Sequence, residues 1–275
     1  VDTLVEELSH AISGTKGIIR FGTGEFTDSL LHEAYLPVYE RIFPLIISSS
    51  NAVLELKTKT THTERIPDME IRDRIIVAWS LNSHEVAYME EQKAPTVEQR
   101  IGAARDVEAR GYKLAFHFDP IVYYKGWERG YRDTIEMLFS SINAKNVVYV
   151  SMGGLRFSPR VKDSLMRRSS LYLQGDFIRG LDGKMRYFRP QRTVLYRTVL
   201  GYLKRYVPEE KVYLCMENRD VWRDVWGIDG MTSAKLSQRL DNACMNVFTS
   251  LQRGKPYNPD ADLYHPNVSL TNCGE

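Results

Sequence analysis

The chain has 275 residues, 43% hydrophobic and 26% charged, with 37 Lys and Arg against 35 Asp and Glu, a balance that excludes a disordered polyelectrolyte and suits one large or two small domains. No run of about 18 apolar residues is present, which excludes a membrane-spanning helix, and Val1 to His10 is acidic and helix-like rather than a secretory leader. Cys215, Cys244 and Cys273 are too few and too scattered for a disulfide framework, so the expected setting is reducing and cytoplasmic.

Val1 falls inside a helical pattern, so the chain reads as a fragment of a longer protein. Short β-branched runs then alternate with longer amphipathic segments. Gly17 to Thr23 reads as a strand and Thr27 to Ile42 as a helix. Strands follow over Val53 to Thr60 and Arg74 to Leu81, then a helix over Thr96 to Arg110. Thr96 and Gln99 fit a capping box, in which the Thr hydroxyl and the Gln side chain satisfy reciprocal backbone N–H groups, and Gly111 stops that helix. The series continues with strand Lys113 to Phe118, helix Gly126 to Ile142, strand Asn146 to Met152, helix Gln191 to Tyr206, strand Lys211 to Met216 and helix Ser233 to Phe248. Strand and helix in alternation predict an α/β fold with parallel strands wrapped by helices.

Phe177 to Phe188 interrupts the alternation. Two short runs flank Gly180-Leu181-Asp182-Gly183, and the Asp-Gly pair predicts a tight hairpin. That hairpin carries Arg179, Lys184, Arg186 and Tyr187, with Arg189 just beyond. It lies in a basic block: Arg156 to Arg205 holds 13 Lys and Arg against Asp163, Asp176 and Asp182, a net +10 that leaves the rest of the chain at −8. With Phe157, Tyr172, Phe177 and Tyr196 interleaved, the block suits a polyanion. Beyond Leu251 the sequence is Pro- and Asn-rich and reads as irregular.

The predicted strand ends carry polar or reactive groups in succession: Thr23 and Glu25, Lys57 and Lys59, Ser80 and Asn82, His117 and Asp119, Ser151, then Cys215 and Glu217. Parallel α/β folds gather such strand ends around one cleft, which is the expectation here. No P-loop, G-x-G-x-x-G or H-E-x-x-H occurs, so phosphoryl transfer, dinucleotide binding and zinc peptidase chemistry lose support. Cys215 and Cys244 do not match a zinc or iron–sulfur spacing. Two further readings stay open: a Schiff-base barrel enzyme using Lys59, its amine desolvated beside Lys57, and a non-catalytic nucleic-acid-binding module resting on the basic block.

RFGTGEFTDS (Arg20 to Ser29), ELKTKT (Glu55 to Thr60), WSLN (Trp79 to Asn82), FHFDPI (Phe116 to Ile121) with GWERGY (Gly126 to Tyr131), GLDGKMRYF (Gly180 to Phe188) and VYLCME (Val212 to Glu217) together resemble the spore photoproduct lyase family of radical S-adenosylmethionine enzymes. The likeness runs in one order to about Gly227. It implies a partial (β/α)6 barrel over 1–250, with its hairpin near 172–190 and a tail over 251–275. It also implies S-adenosylmethionine and a 4Fe-4S cluster as cofactors, a reductant for the cluster, and DNA containing a thymine photolesion as substrate, split by way of an adenosyl radical.

Carried over by position, the resemblance implies that Gly24 and Glu25 hold the amino group of S-adenosylmethionine. Thr27, Lys59, Ser80 and Asp119 line its nucleoside and carboxylate. Lys184, Arg186, Tyr187 and Arg189 meet the DNA, Arg186 as a phosphate partner and Tyr187 as a stacking face. The family's C-x-x-x-C-x-x-C cluster motif is missing from this sequence. The first strand and cluster loop are therefore expected ahead of Val1, with no metal ligand in this chain and no activity from it alone. Family members carry a hydrogen-donating cysteine at the position of Glu25, so Cys215 or a cleft tyrosine becomes the candidate donor.

Overall fold

The computed structural model describes residues 1–24, 27–70, 72–168, 171–248 and 250–251. In chain order the elements are α1 (Asp2–Gly14), β1 (Ile19–Thr23), α2 (Ser29–Glu33), α3 (Tyr39–Ser48), β2 (Ala52–Thr58), β3 (Ile75–Ser80), α4 (His84–Glu90), α5 (Val97–Ala109), β4 (Lys113–Ile121), α6 (Trp127–Ser141), β5 (Val147–Gly154), β6 (Arg156–Phe157) and α7 (Lys162–Arg168). They continue with β7 (Phe177–Arg179), β8 (Met185–Tyr187), α8 (Arg189–Leu203), β9 (Val212–Leu214), α9 (Arg219–Trp226) and α10 (Ser233–Met245). The irregular tail expected beyond Leu251 lies outside the described residues.

Six strands form one sheet in the order β1-β2-β3-β4-β5-β9, every neighbouring pair parallel. Parallel neighbours joined by right-handed crossovers place each connecting helix on the same face. Because the spatial order follows the chain order without reversal, the connecting helices cover the outer face and the sheet curls into a half-barrel with a concave inner face. The six strand runs expected from the sequence are these six strands. All six stand in one parallel sheet within this chain.

Alternation along each strand divides the side chains. Leu54, Leu56, Val77, Trp79, Phe116, Phe118, Val150, Met152, Val212 and Leu214 face the helices in the main core. Each such side chain contributes about 1.5–3 kcal/mol on full burial. Val53, Ile76, Ala78, Ala115 and Val148 face inward, where Ala243 and Cys244 of α10, then Phe248 and Leu251, cover them in a second apolar cluster. α10 therefore closes the floor of the half-barrel and leaves the strands' carboxyl ends open above it.

The helices follow local rules with one exception. α5 starts at Thr96 with both bonds of the capping box formed, buries Val97, Ile101, Ala104 and Val107 along one face, and ends before Gly111 at φ +91°. The helix expected over Thr27 to Ile42 is instead two, α2 and α3, separated around Pro37. The Glu33 carboxylate accepts from the N–H groups of Val38 (3.0 Å) and Tyr39 (3.1 Å), so it caps the second piece.

The predicted hairpin forms as β7 and β8, and β6 joins it as a third antiparallel strand in the order β6-β8-β7. Gly183 donates to the Gly180 carbonyl (3.0 Å) and Gly180 to the Lys184 carbonyl (2.8 Å), with Gly183 at φ +77°. This is a three-residue loop whose glycine takes the left-handed position.

Candidate active site

The inner face carries polar side chains in rows set by the strand register. Ser80 pairs with His117, His117 with Ser151 and Ser151 with Tyr213, so four polar groups lie side by side across β3, β4, β5 and β9. By the same alternation Arg20, Glu55 and Lys57 lie on this face, with Asp119 and Cys215 at its upper rim. Gly153 makes room there: a Cβ on it would sit 2.6 Å from Cγ of Asp119. Lower down, Arg20 is ion-paired with Asp241 of α10.

Two clusters organise this face. In the first, His117 Nε2 lies 3.1 Å from a Glu55 oxygen, and His117 Nδ1 lies 2.6 Å from the Ser151 hydroxyl. The Tyr149 hydroxyl donates to the other Glu55 oxygen. Burial pushes the Glu55 carboxyl upward, but the His117 charge and the hydrogen bonds from His117 and Tyr149 outweigh it, and the net shift is downward.

In the second cluster, Arg156 of β6 donates to Asp119 at 3.1 Å and reaches Cys215 Sγ at 3.7 Å. Burial and then the Asp119 charge push the Cys215 thiol well above its ordinary range, while Arg156 and Lys57 pull the other way. Met216 follows at φ +53°, a left-handed turn that L residues rarely take. It lets Cys215 face inward while Glu217 turns to Arg192 (3.0 Å) and the Tyr196 hydroxyl (2.7 Å). A cleft of about 350 Å³ opens over this cluster, lined by Asp119, Pro120, Arg156, Phe157, Ser158, Lys184 and Met216. A larger concavity of about 510 Å³, with Glu33, Glu40, Glu64 and Asp68 in its wall, holds none of these groups.

The expected site residues divide accordingly. Ser80, Asp119 and Cys215 lie on the inner face, and Asp119 and Cys215 meet at Arg156. Gly24 closes the turn after β1 at φ +89°, where a Cβ would meet the Lys57 carbonyl at 2.4 Å. Thr27 is exposed beside it, and Glu25 lies outside the described residues. Lys59 stands past the end of β2, its Nζ 2.7 Å from Glu91. That contact engages the amine that a Schiff-base reading needs free. Lys57, within β2, follows the inward alternation. Thr23 and Asn82 leave the expected cleft, since Thr23 bonds Ser29 and Tyr39 on the helix side and Asn82 is buried against Tyr131.

The basic hairpin needs one correction, at Tyr187. Tyr187 is fully buried, its ring 4.5 Å from Phe177 and its hydroxyl accepting from the Tyr123 N–H at 3.0 Å, because alternation along β8 turns it inward. It has no free face for stacking. Arg186 folds back onto Asp182 of its own loop. Arg189 bridges α8 to α9 through Asp224 at 2.6 Å and Asp220 at 3.6 Å. Lys184 alone of the four reaches the cleft.

Several residues escaped the sequence reading. Asp28 caps α2 and accepts from the Thr58 hydroxyl (2.8 Å) and the Lys59 N–H (2.7 Å), pinning the end of β2. Glu91 joins Lys59 to the fully buried Arg100 (2.7 Å), which donates to the Ser80 carbonyl (3.1 Å). Arg156 carried no local signal beyond its charge. Among the described residues no group of His, Cys, Asp and Glu is arranged to hold a metal ion, and no helix is long and apolar enough to cross a membrane.

Comparison with known proteins gives one consistent result. Spore photoproduct lyase of Geobacillus sp. (strain Y412MC61) is 27% identical over 177 residues, 58% of this chain and 50% of that protein. The Bacillus subtilis (strain 168) protein is 25% identical over 172 residues, 58% of this chain and 49% of its own length. The chain thus spans about half the length of these curated relatives. A solved cysteine-to-alanine variant of spore photoproduct lyase superposes with a TM-score of 0.69 at 23% identity, over 78% of this chain and 65% of that one. A doubly substituted variant with bound AdoMet and dinucleoside spore photoproduct gives 0.66 at 22% identity, over 78% and 65%. The family profile named spore photoproduct lyase matches residues 18–170. By that match over more than half its length, the chain belongs to the spore photoproduct lyase family.

Proposed function

We propose that this chain is the barrel part of a radical S-adenosylmethionine lyase that reverses a thymine photolesion in DNA. The observation that carries the reading is the meeting of Asp119 and Cys215 at Arg156 over the open end of a half-barrel of this family, with Ser80 on the same inner face. The residues suit the nucleoside cofactor. Gly22, exposed on the inner face, and Gly24 leave the end of β1 without side chains, and further across the same face β3 and β4 carry the Ser80 hydroxyl and the Asp119 carboxylate. They do not suit the cluster, since the described cysteines, Cys215 and Cys244, lie on different elements. A strand and cluster loop ahead of α1 would add at β1, the edge of the sheet.

When bound, and given one electron from a cluster held outside these residues, S-adenosylmethionine would supply the hydrogen-abstracting chemistry. The chain's own groups do the rest. Ser80 and Asp119 bond ribose hydroxyls, and Lys59 exchanges Glu91 for a ligand carboxylate. Cys215, whose burial keeps its sulfur protonated, carries an S–H hydrogen to return to the product. Lys184, with exposed Arg160, Lys162 and Arg167, offers a cationic approach for phosphates.

The test joins this chain to a cluster-bearing segment, reconstitutes it without oxygen, and adds dithionite and dinucleoside spore photoproduct. Release of 5′-deoxyadenosine and thymine monomers is expected. Failure to form 5′-deoxyadenosine with an intact cluster overturns the reading.

A further inference from the structure

The small antiparallel sheet turns one face toward the barrel, since Arg156 of β6 reaches Asp119 and Cys215 from it. Register sets Arg156 directly opposite Arg186 of β8, with Ile178 of β7 next in the same row. Like charges placed opposite each other across strands repel, and each arginine has drawn a carboxylate, Arg156 on Asp119 at 3.1 Å and Arg186 on Asp182. Glu217, the next carboxylate, is taken by Arg192 at 3.0 Å. Lys184, two residues before Arg186 and so on the same side of the hairpin, makes no ion pair among the described residues. Three cations therefore meet two carboxylates on this wall, and one positive charge is left over.

The cleft of about 350 Å³ opens where that surplus lies, and its volume falls within the range of about 300–1,000 Å³ that ligand sites occupy. Only Nη2 of Arg156 is engaged, by Asp119 and Cys215, so Nε and Nη1 keep their donors. Asp119 holds the guanidinium in place, and a ligand that meets it does not have to order it. Ser158 begins a short 3-10 turn without capping it, which leaves its hydroxyl to donate into the cleft it lines. Pro120, Phe157 and Met216 complete the lining with apolar surface, against which charges are less screened than in open water.

We propose that this cleft is the subsite for one phosphodiester of a nucleic-acid strand, with Arg156 presenting its fork to the phosphate oxygens and Lys184 and Ser158 closing on them. A diester carries a single negative charge, which matches the charge left over, and two non-bridging oxygens, which match a fork of parallel N–H groups. Arg186, held by Asp182, strengthens the field without touching the phosphate. The site rests on the reading of DNA as substrate for the identity of its ligand, and it adds a requirement to that reading. Two nucleosides joined by their phosphate bind better than the same two without its charge.

The test uses the full chain labelled with ¹⁵N at arginine. The Arg156 Nε–H signal is identified by its loss in Arg156→Lys, which keeps a charge beside Asp119. It is followed as thymidylyl-thymidine, the uncharged methylphosphonate analogue of that dinucleotide, and inorganic phosphate are added in separate titrations. The diester is expected to shift the signal and to bind roughly tenfold more tightly than the methylphosphonate or inorganic phosphate, because only the diester combines the charge with its flanking sugars. Lys184→Gln should weaken the diester by roughly tenfold. Lys145→Gln removes the same charge from an exposed position ahead of β5 and should leave the affinity unchanged. An unmoved Arg156 signal, or equal affinity for the diester and its methylphosphonate, overturns the subsite. Equal weakening by Lys145→Gln overturns it too, since net charge would then suffice, and inorganic phosphate binding as tightly as the diester overturns the choice of ligand. No cluster or lesion is needed, so failure here leaves the release of 5′-deoxyadenosine by the cluster-bearing protein unaffected, and failure of that release leaves diester binding unaffected.

Discussion

Lys59 and Arg100 share one carboxylate: Glu91 places Oε1 2.7 Å from Lys59 Nζ and Oε2 2.7 Å from Arg100 Nη2. The two ends differ in solvation, the Lys59 side chain being 38% exposed and that of Arg100 0%. Water can replace the carboxylate at Lys59 but not at Arg100, so the structural weight of the pair falls on the buried side. Through Arg100 the same carboxylate supports the Ser80 carbonyl, tying two candidate cofactor contacts together.

Glu91→Gln should therefore destabilise the fold by about 3 kcal/mol, because it strands a buried guanidinium, whereas Lys59→Met should cost about 1 kcal/mol or less. Urea denaturation of the two variants measures the difference. Burial raises the Glu91 carboxyl, but Lys59 and Arg100 outweigh it and hold it below its ordinary 4.5. Its stabilisation is present above that value and is lost as pH falls through the depressed folded value. The gap between native protein and Glu91→Gln should close on acidification; a constant gap would show that the carboxylate's charge is not the source.

Glu217 should behave in the opposite sense. Burial, only partly countered by Arg192 and the Tyr196 hydroxyl, raises its carboxyl above the ordinary 4.5. Its contribution is full below that value and is lost as pH rises through the raised folded value. Thermal melts from pH 4 to pH 8 should show the native advantage over Glu217→Gln shrinking as pH increases.

Gly24→Ala should destabilise the turn after β1. The left-handed φ of +89° costs an L residue about 1–3 kcal/mol, and the added Cβ at 2.4 Å from the Lys57 carbonyl forces the backbone apart as well. By contrast Gly14→Ala, with nothing within 4 Å of its Cβ, should be nearly neutral. Paired denaturation curves decide it.

Cys215 should alkylate slowly with iodoacetamide at pH 8, because only the thiolate reacts and burial with the Asp119 charge suppresses it. Asp119→Asn removes that charge and should accelerate labelling, while Arg156→Gln removes an opposing one and should slow it. Site-resolved mass spectrometry reads both, with Cys244, its thiol pushed up to about 12 by burial, as the unreactive reference. Equal labelling of Cys215 in all three proteins would contradict the cluster.

The strand series, the capping box of α5 and the Asp-Gly hairpin were legible because each depends on residues close in sequence. The split of Thr27 to Ile42 into α2 and α3 was less so: Glu33 reaches forward to cap the second piece, and a period count does not register that bond. Of the polar groups expected at strand ends, Ser80, Asp119 and Cys215 lie on the inner face. Thr23 and Asn82 instead face helices, and the stacking face expected of Tyr187 on the hairpin is lost because alternation along its strand buries it.

The amino-acid order alone determined the α/β alternation, the basic block and the family, since periodicity, charge and motif order are properties of the chain itself. Which cations remain available was decided only by folding. Lys59, Arg186 and Arg189 each found a carboxylate, on Glu91, Asp182 and Asp224, while Lys184 came to line the cleft. Ion pairing between distant segments depends on where the sheet's curl brings them, and so does the meeting of Glu55, His117 and Ser151 from three strands; neither distance is written in the local sequence.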